Sequence, residues 1–254
     1  MLASLVPTKR VRLDQLLVER GLAPSRARAQ SLILAGSVRV EGALADKAGK
    51  AVSADASVEV VVADHPWVSR GGVKLAAALD AFGVSPAGKR CLDVGASTGG
   101  FTHVLLERGA AQVVALDVGR GQLDWRLRQD SRVVVKEGVN ARYLAREDLP
   151  GRFDLVTVDV SFISLRLVLP ALVPLLAEGG DLVALVKPQF EAGRTQVAKG
   201  GVVRDPEARE QAIEGVLAAA RELGLECLAR IPSPIAGPAG NVEELAHLRK
   251  TPAV

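Results

Sequence analysis

The chain reads as an α/β protein: a parallel sheet with helices on both faces, preceded by a small α+β domain. Three observations carry this reading. From about residue 90 onward, short Val- and Leu-rich runs alternate with helix-like stretches, the pattern of strands joined by helical crossovers. One run, Leu92 to Phe101 (LDVGASTGGF), ends in an acid and passes straight through a glycine turn into a helix pattern. Charge is uneven: residues 1–50 hold nine Lys or Arg against four Asp or Glu, whereas the whole 254-residue chain nets only +3. A small basic front end on a near-neutral body suggests an anionic partner docking at the front.

The front unit is expected over residues 10–63. RLDQLLVERG places Leu13, Leu16 and Leu17 at helical spacing, with Gly21 as a stop. Ser25 is the expected N-cap of a second helix, whose apolar face is Ala29, Leu32 and Ile33 and which ends at Ala35-Gly36. SVRVEG reads as a strand entering a turn, and Val52 to Val62 as one closing strand. A linker is expected at residues 64–66, where Pro66 interrupts regular structure.

The body is expected over residues 67–254. KRCLDVG, AQVVALDVG, SRVVVKEG, FDLVTVDVSF and GDLVALVKP are its strands, with LECLARIP and VEELAHLRK last. Gly100 to Arg108, Gly121 to Arg128, Leu165 to Ala177 and Asp205 to Leu223 are the helices. With 48% hydrophobic residues such a chain can fill a large core. No apolar run approaches the ~18–20 residues that span a bilayer, and the start lacks the long apolar centre of a secretory signal. Cys91 and Cys227, far apart and in apolar surroundings, read as core residues of a cytoplasmic protein. The three histidines and two cysteines are dispersed, so no metal site is expected, and His65, His103 and His247 receive no catalytic role.

In such sheets, ligands sit beyond the carboxyl ends of the strands. Asp93, Asp117, Asp159 and Lys187 all fall at or near those ends. The glycine spacing is not G-x-G-x-x-G, because after Gly95 the next glycine is Gly99. With Asp93 before the turn and Asp117 ending the next strand, it points to S-adenosylmethionine (SAM) and a Rossmann-like methyltransferase sheet. The expected cofactor contacts are Asp93, Gly95, Ala96, Ser97, Thr98, Gly99, Gly100, Phe101, Asp117, Val118, Asn140 and Asp159. Asp117 is assigned to the cofactor ribose, since a carboxylate accepts from its hydroxyls. Asn140 either faces the adenine or caps a turn.

The front pattern S-R-A-x-A-x-x-L-I-x-x-G-x-V-x-V-x-G resembles the S4 RNA-binding domain. The resemblance implies that Arg26, Arg28 and Lys47 contact RNA phosphates. Further on, WVSRGGVKL with Lys74 resembles the FtsJ-type ribose methyltransferases, as do Asp159 in VTVDVSFIS, Lys187 in LVKPQFE and Glu243 in GNVEEL. With the S4-like front, the chain is similar to the TlyA family, also called haemolysin A, over almost its whole length. That resemblance implies a Lys-Asp-Lys-Glu catalytic tetrad and methyl transfer from SAM to the 2′-hydroxyl of cytidine in ribosomal RNA. It matches Glu243 to the final glutamate, with the adjacent Glu244 as the alternative acid. The partner is ribosomal RNA or a ribosomal subunit, and the enzyme is expected to be a monomer. Ser69 and Arg70 are expected to guide the RNA backbone, and Arg194 and Lys199 to lie in a basic loop that closes over RNA.

The tetrad also makes chemical sense. A ribose hydroxyl is a weak nucleophile that must be aligned and must lose its proton as it attacks. A neutral Lys187 accepts that proton; a charged Lys187 steers the hydroxyl and stabilises developing negative charge. Two other classes compete: a non-catalytic RNA-binding assembly factor, and a membrane-active haemolysin. The apolar faces of the helices suit a core rather than a bilayer.

Overall fold

The computed structural model describes residues 10–45, 47–61, 65–237 and 239–251. The front unit contains β1 (Arg10–Arg12), α1 (Leu13–Glu19), α2 (Arg26–Leu34), β2 (Val38–Val40), β3 (Ala43–Leu44), β4 (Ala51–Ser53) and β5 (Val58–Val60). The two helices pack through Leu13, Leu16, Leu17, Ala29 and Ile33 onto Val38, Val40 and Val52. Ser25 caps α2 as expected, accepting from the Arg28 amide. The single closing strand expected from Val52 is instead two strands. β4 pairs with β1 and β5 pairs with β2, because a turn at Ala54-Asp55 redirects the chain. Its end at Val62, and Asp64 of the linker, lie outside the described residues.

The body follows with α3 (Gly71–Phe82), β6 (Arg90–Val94), α4 (Gly100–Glu107), β7 (Gln112–Asp117), α5 (Trp125–Arg128), β8 (Val133–Glu137), β9 (Phe153–Val158), α6 (Leu165–Leu172), β10 (Leu176–Val186), α7 (Pro188–Glu191), α8 (Pro206–Glu222), β11 (Leu225–Pro232) and β12 (Glu244–Lys250). The seven strands lie in the order β11-β12-β10-β9-β6-β7-β8. One apolar layer forms between the sheet and α6 and α8, the other between the sheet and α3, α4 and α5. Helices therefore cover both faces, as the alternation predicted.

Three elements differ from the sequence reading. The helix expected from Gly121 is only α5, capped by Asp124. The helix expected to reach Ala177 stops at Leu172 and becomes a 3-10 turn at Val173–Leu175, since Pro174 has no N–H to continue the ladder. The sheet is not wholly parallel: β12 runs antiparallel between β10 and β11. That reversal matters for the site. β12 begins at the end of the sheet where the parallel strands finish, and Glu244 pairs with Val186. Glu243 and Lys187, far apart in the chain, thus arrive side by side.

Candidate active site

The chain order of the sheet reverses between β6 and β9, so a crevice opens above their carboxyl ends. β6 runs into Gly95 and β9 into Asp159, whose amide donates to the Val94 carbonyl. A cavity of about 390 Å³ occupies this crevice. Lys74, Asp159, Lys187 and Glu243 all line it, together with Gly95, Ala96, Ser97, Thr98, Gly100 and Phe101 of the glycine turn. Ile33, Gly36 and Lys47 of the front unit close one side.

The four expected tetrad residues form two ion pairs. Lys187 Nζ lies 2.6 Å from Asp159 Oδ1 and donates to Ser161 Oγ at 2.8 Å. Lys74, on α3, donates to Glu243 Oε2. Glu243 is only 1% exposed. Its other oxygen, Oε1, accepts from Gln189 Nε2 at 3.4 Å. Glu244 points elsewhere and pairs with Arg230, which distinguishes the two adjacent acids. Burial pushes the Asp159 carboxyl up, but Lys187 and Lys74 outweigh it and hold the group below the ordinary carboxylate value.

The glycine turn has a duty that the sequence reading did not foresee. Each of its three glycines, Gly95, Gly99 and Gly100, is demanded by the protein itself. A Cβ on Gly95 would stand 2.3 Å from the Asp159 carbonyl oxygen, one on Gly99 2.3 Å from Leu127 Cδ1, and one on Gly100 2.3 Å from Ser69 Oγ. Gly95 and Gly99 also have φ of +85° and +96°, where a side chain is strained. Ser97 holds φ +48° between them. Its amide donates to Asp117 Oδ2 at 2.8 Å, while Gly119 donates to Oδ1 at 2.7 Å. Asp117 thus faces the turn with lone pairs to spare.

Other expected site residues fall in different places. Asp93 is wholly buried beneath the turn, where it accepts from Thr102 Oγ1 at 2.6 Å and Thr157 Oγ1 at 3.2 Å; burial pushes its carboxyl up to about 7. It supports the start of α4 and does not line the cavity. Asn140 also lies outside it, in a second recess with Tyr143, and accepts from the Arg142 amide as a cap. Val118 is exposed. Ser69, at 7% exposure, is packed against Gly100 and lines the cavity rather than the outer surface. Arg70 lies against Gly36 of the front unit and donates to the Ala236 carbonyl. Arg26 is exposed but anchored to the buried Asp14, which also accepts from Arg12 and Gln30. Arg28, Lys47, Arg194 and Lys199 are exposed.

Several residues at the site escaped the sequence reading. Ser161 braces Lys187. Phe162 is 86% exposed with φ +65°, its ring 5.2 Å from that of Phe190 at the cavity mouth. Asn241 is buried and ties the glycine-rich loop to the site, accepting from the Val203 amide and donating to the Gly201 carbonyl. An exposed aromatic held in left-handed backbone has no signature in composition or periodicity. Glu191 caps the start of α6, accepting from Ser164 Oγ and the Leu165 amide. Among the described residues no group of His, Cys, Asp and Glu could hold a metal ion, and no helix is long and apolar enough to cross a membrane.

Comparison with known proteins adds the lineage. Residues 67–250 match the FtsJ-like methyltransferase family and residues 11–58 the S4 domain. The chain is 54% identical over 242 residues to the 16S/23S rRNA (cytidine-2′-O)-methyltransferase TlyA of Mycobacterium tuberculosis, covering 95% of this chain and 90% of that protein. The chain belongs to the TlyA family. A solved structure from Streptococcus thermophilus, of a protein designated a hemolysin, superposes on this TlyA-family chain with a TM-score of 0.75 at 43% identity, covering 97% of this chain and 90% of that one. The N-methyltransferase NodS of Bradyrhizobium japonicum WM9, in complex with S-adenosyl-L-homocysteine, shares the fold alone. Its TM-score is 0.52 at 20% identity, over 74% of this chain and 89% of that one. The sheet is thus that of SAM-dependent methyltransferases.

Proposed function

We propose that this protein transfers a methyl group from SAM to the ribose 2′-hydroxyl of a cytidine in ribosomal RNA. The observation that carries the reading is the convergence of two lysine–carboxylate pairs on one cavity with the glycine turn. The cavity fits a cofactor of this kind: its turn backs onto Asp117, whose carboxylate has free acceptor sites for a ribose, and its volume lies in the range of small-molecule sites. When bound, SAM supplies an electrophilic methyl on a sulfonium; Gly95 to Phe101 and Asp117 would hold it.

The residues of the chain do the rest. Lys187, charged against Asp159, donates to the 2′-oxygen and offsets the negative charge that grows there. The hydroxyl proton passes to the Asp159–Lys187 pair acting as a unit, and leaves through Asp159, whose side chain is 22% exposed. Lys74, oriented by the buried Glu243, positions the ribose. Phe162 offers its exposed face to the base of the target nucleotide. Arg28, Lys47, Arg194 and Lys199 hold RNA phosphates, and Arg26 and Arg70 add charge at the same face while serving the fold. The substrate is ribosomal RNA or a ribosomal subunit met in the cytoplasm by a monomeric enzyme.

The test is incubation of purified ribosomal subunits with labelled SAM, followed by mapping of any methylated ribose. Label in a cytidine ribose supports the proposal. Binding without label would favour an assembly factor, and lysis of liposomes a membrane-active protein.

A further inference from the structure

Gln189 follows Lys187 by two residues and lines the same cavity. Its amide orientation is set by Glu243. Nε2 is the end that approaches Glu243 Oε1, since turning the carbonyl there would oppose two acceptors. The carbonyl oxygen Oε1 is therefore directed away from Glu243. It is buried, and among the described residues it has no hydrogen-bond partner. A buried acceptor without a donor is costly, so such an atom calls for an explanation.

The surroundings narrow what completes it. Glu243 itself is closed to a ligand: Lys74 holds one oxygen, Gln189 faces the other, and a Cβ on Gly237 would come within 2.5 Å of Oε1. The acid thus acts on the cavity only through Lys74 and Gln189, one a donor and the other an open acceptor. A donor on a ligand or a bridging water would complete it, and the atom's place on a residue that lines the cavity favours the ligand. In an RNA chain the ribose offers one, the 2′-hydroxyl, which the reaction assigns to Lys187. The 3′-oxygen is esterified and has no hydrogen. The donors left are the N–H groups of the base and the O–H and N–H groups of the cofactor.

We infer that Gln189 reads the target base, its Oε1 accepting from the exocyclic amino group of cytosine. This rests on the ribose methylation proposed above. It gives the site a means of preferring cytidine to uridine, whose carbonyl at that position would oppose the Gln189 carbonyl. A site built around a hydrogen bond to the correct ligand discriminates strongly, because the wrong ligand leaves the buried group unpaired.

The test uses the full-length protein and ribosomal subunits carrying either cytidine or uridine at the mapped methylation position. Wild-type enzyme should prefer cytidine by at least about tenfold in kcat/KM. Gln189→Met, of similar length and without polar atoms, should lose that preference while SAM affinity stays unchanged. The variant should stay folded, with a melting temperature within about 4 °C of wild type: it removes an unpaired acceptor but also the bond that Glu243 Oε1 accepts from Nε2. Retained cytidine preference in the variant would overturn the inference. A fall in SAM affinity would assign the acceptor to the cofactor, and a drop of more than about 10 °C in melting temperature would assign it to the fold; either result also overturns it. Absence of methylation by wild-type enzyme on either RNA would instead defeat the proposed reaction.

Discussion

Gly95 joins the cofactor turn to the reaction centre, and Gly95→Ala tests that link. The new methyl carbon would stand 2.3 Å from the Asp159 carbonyl oxygen and 2.9 Å from its carbon. Reaching ordinary contact requires a movement of about 1 Å, by the turn, by Asp159 or by both. The φ of +85° adds strain of about 1–2 kcal/mol for a residue with a Cβ. At this chain length that strain lowers the melting temperature by roughly 2–8 °C, leaving the protein folded at 25 °C. Catalysis should suffer far more. Asp159 holds Lys187, and a displacement of about 1 Å in such a group lowers the rate by roughly 100-fold. The assay is kcat with labelled SAM and saturating RNA, alongside SAM affinity by calorimetry and a thermal melt. A folded variant with kcat within about threefold of wild type would refute the coupling. So would lost SAM affinity with kcat intact at saturation, since the turn would then have yielded while Asp159 stayed in place.

Further tests address single roles. Lys187→Ala should lower methyl transfer by about 100- to 1000-fold with SAM affinity nearly unchanged, as expected for a group acting on developing charge; near-normal turnover would remove Lys187 from the mechanism. Asp93 should make the wild-type protein less stable as pH rises. Burial raises its folded value to about 7, so between about pH 4 and 7 the folded state holds a proton that the unfolded state has released, and stability falls across that window. Asp93→Asn should flatten this part of the pH profile by an amount of order a few kcal/mol, read by urea melts at pH 5 and 8; an unchanged slope would refute it. Arg194→Ala and Lys199→Ala should each weaken RNA binding and reduce the slope of log K against log salt by about 1. Unchanged salt dependence would place the loop away from RNA.

Much of this was legible in the sequence, for identifiable reasons. Strand and helix periodicity is local, so β6, β7, β9 and the Asp205-capped α8 could be read from neighbouring residues. Ser25 could likewise be read as a cap. The segments around Lys74, Asp159, Lys187 and Glu243 were recognisable because each has a distinctive local pattern. What was misread depended on contacts between distant parts. The three glycines of the turn are needed by Asp159, Leu127 and Ser69, which no local pattern announces. One expected strand after Val52 became two because each half pairs with a different partner.

By itself, the sequence determined the residue types: a basic front, a glycine turn flanked by acids, and two lysines with two carboxylates in separate segments. Only the tertiary structure decided how those charges combine. Val94 pairs with Val158, which sets Gly95 against Asp159. The antiparallel β12 delivers Glu243 to the end of the sheet where Lys187 leaves β10. Strand direction and order are global properties, set by which apolar faces bury together, and no local pattern encodes them. The same packing buried one oxygen of Gln189 without a partner among the described residues, which shows only when the side chains surrounding it are known.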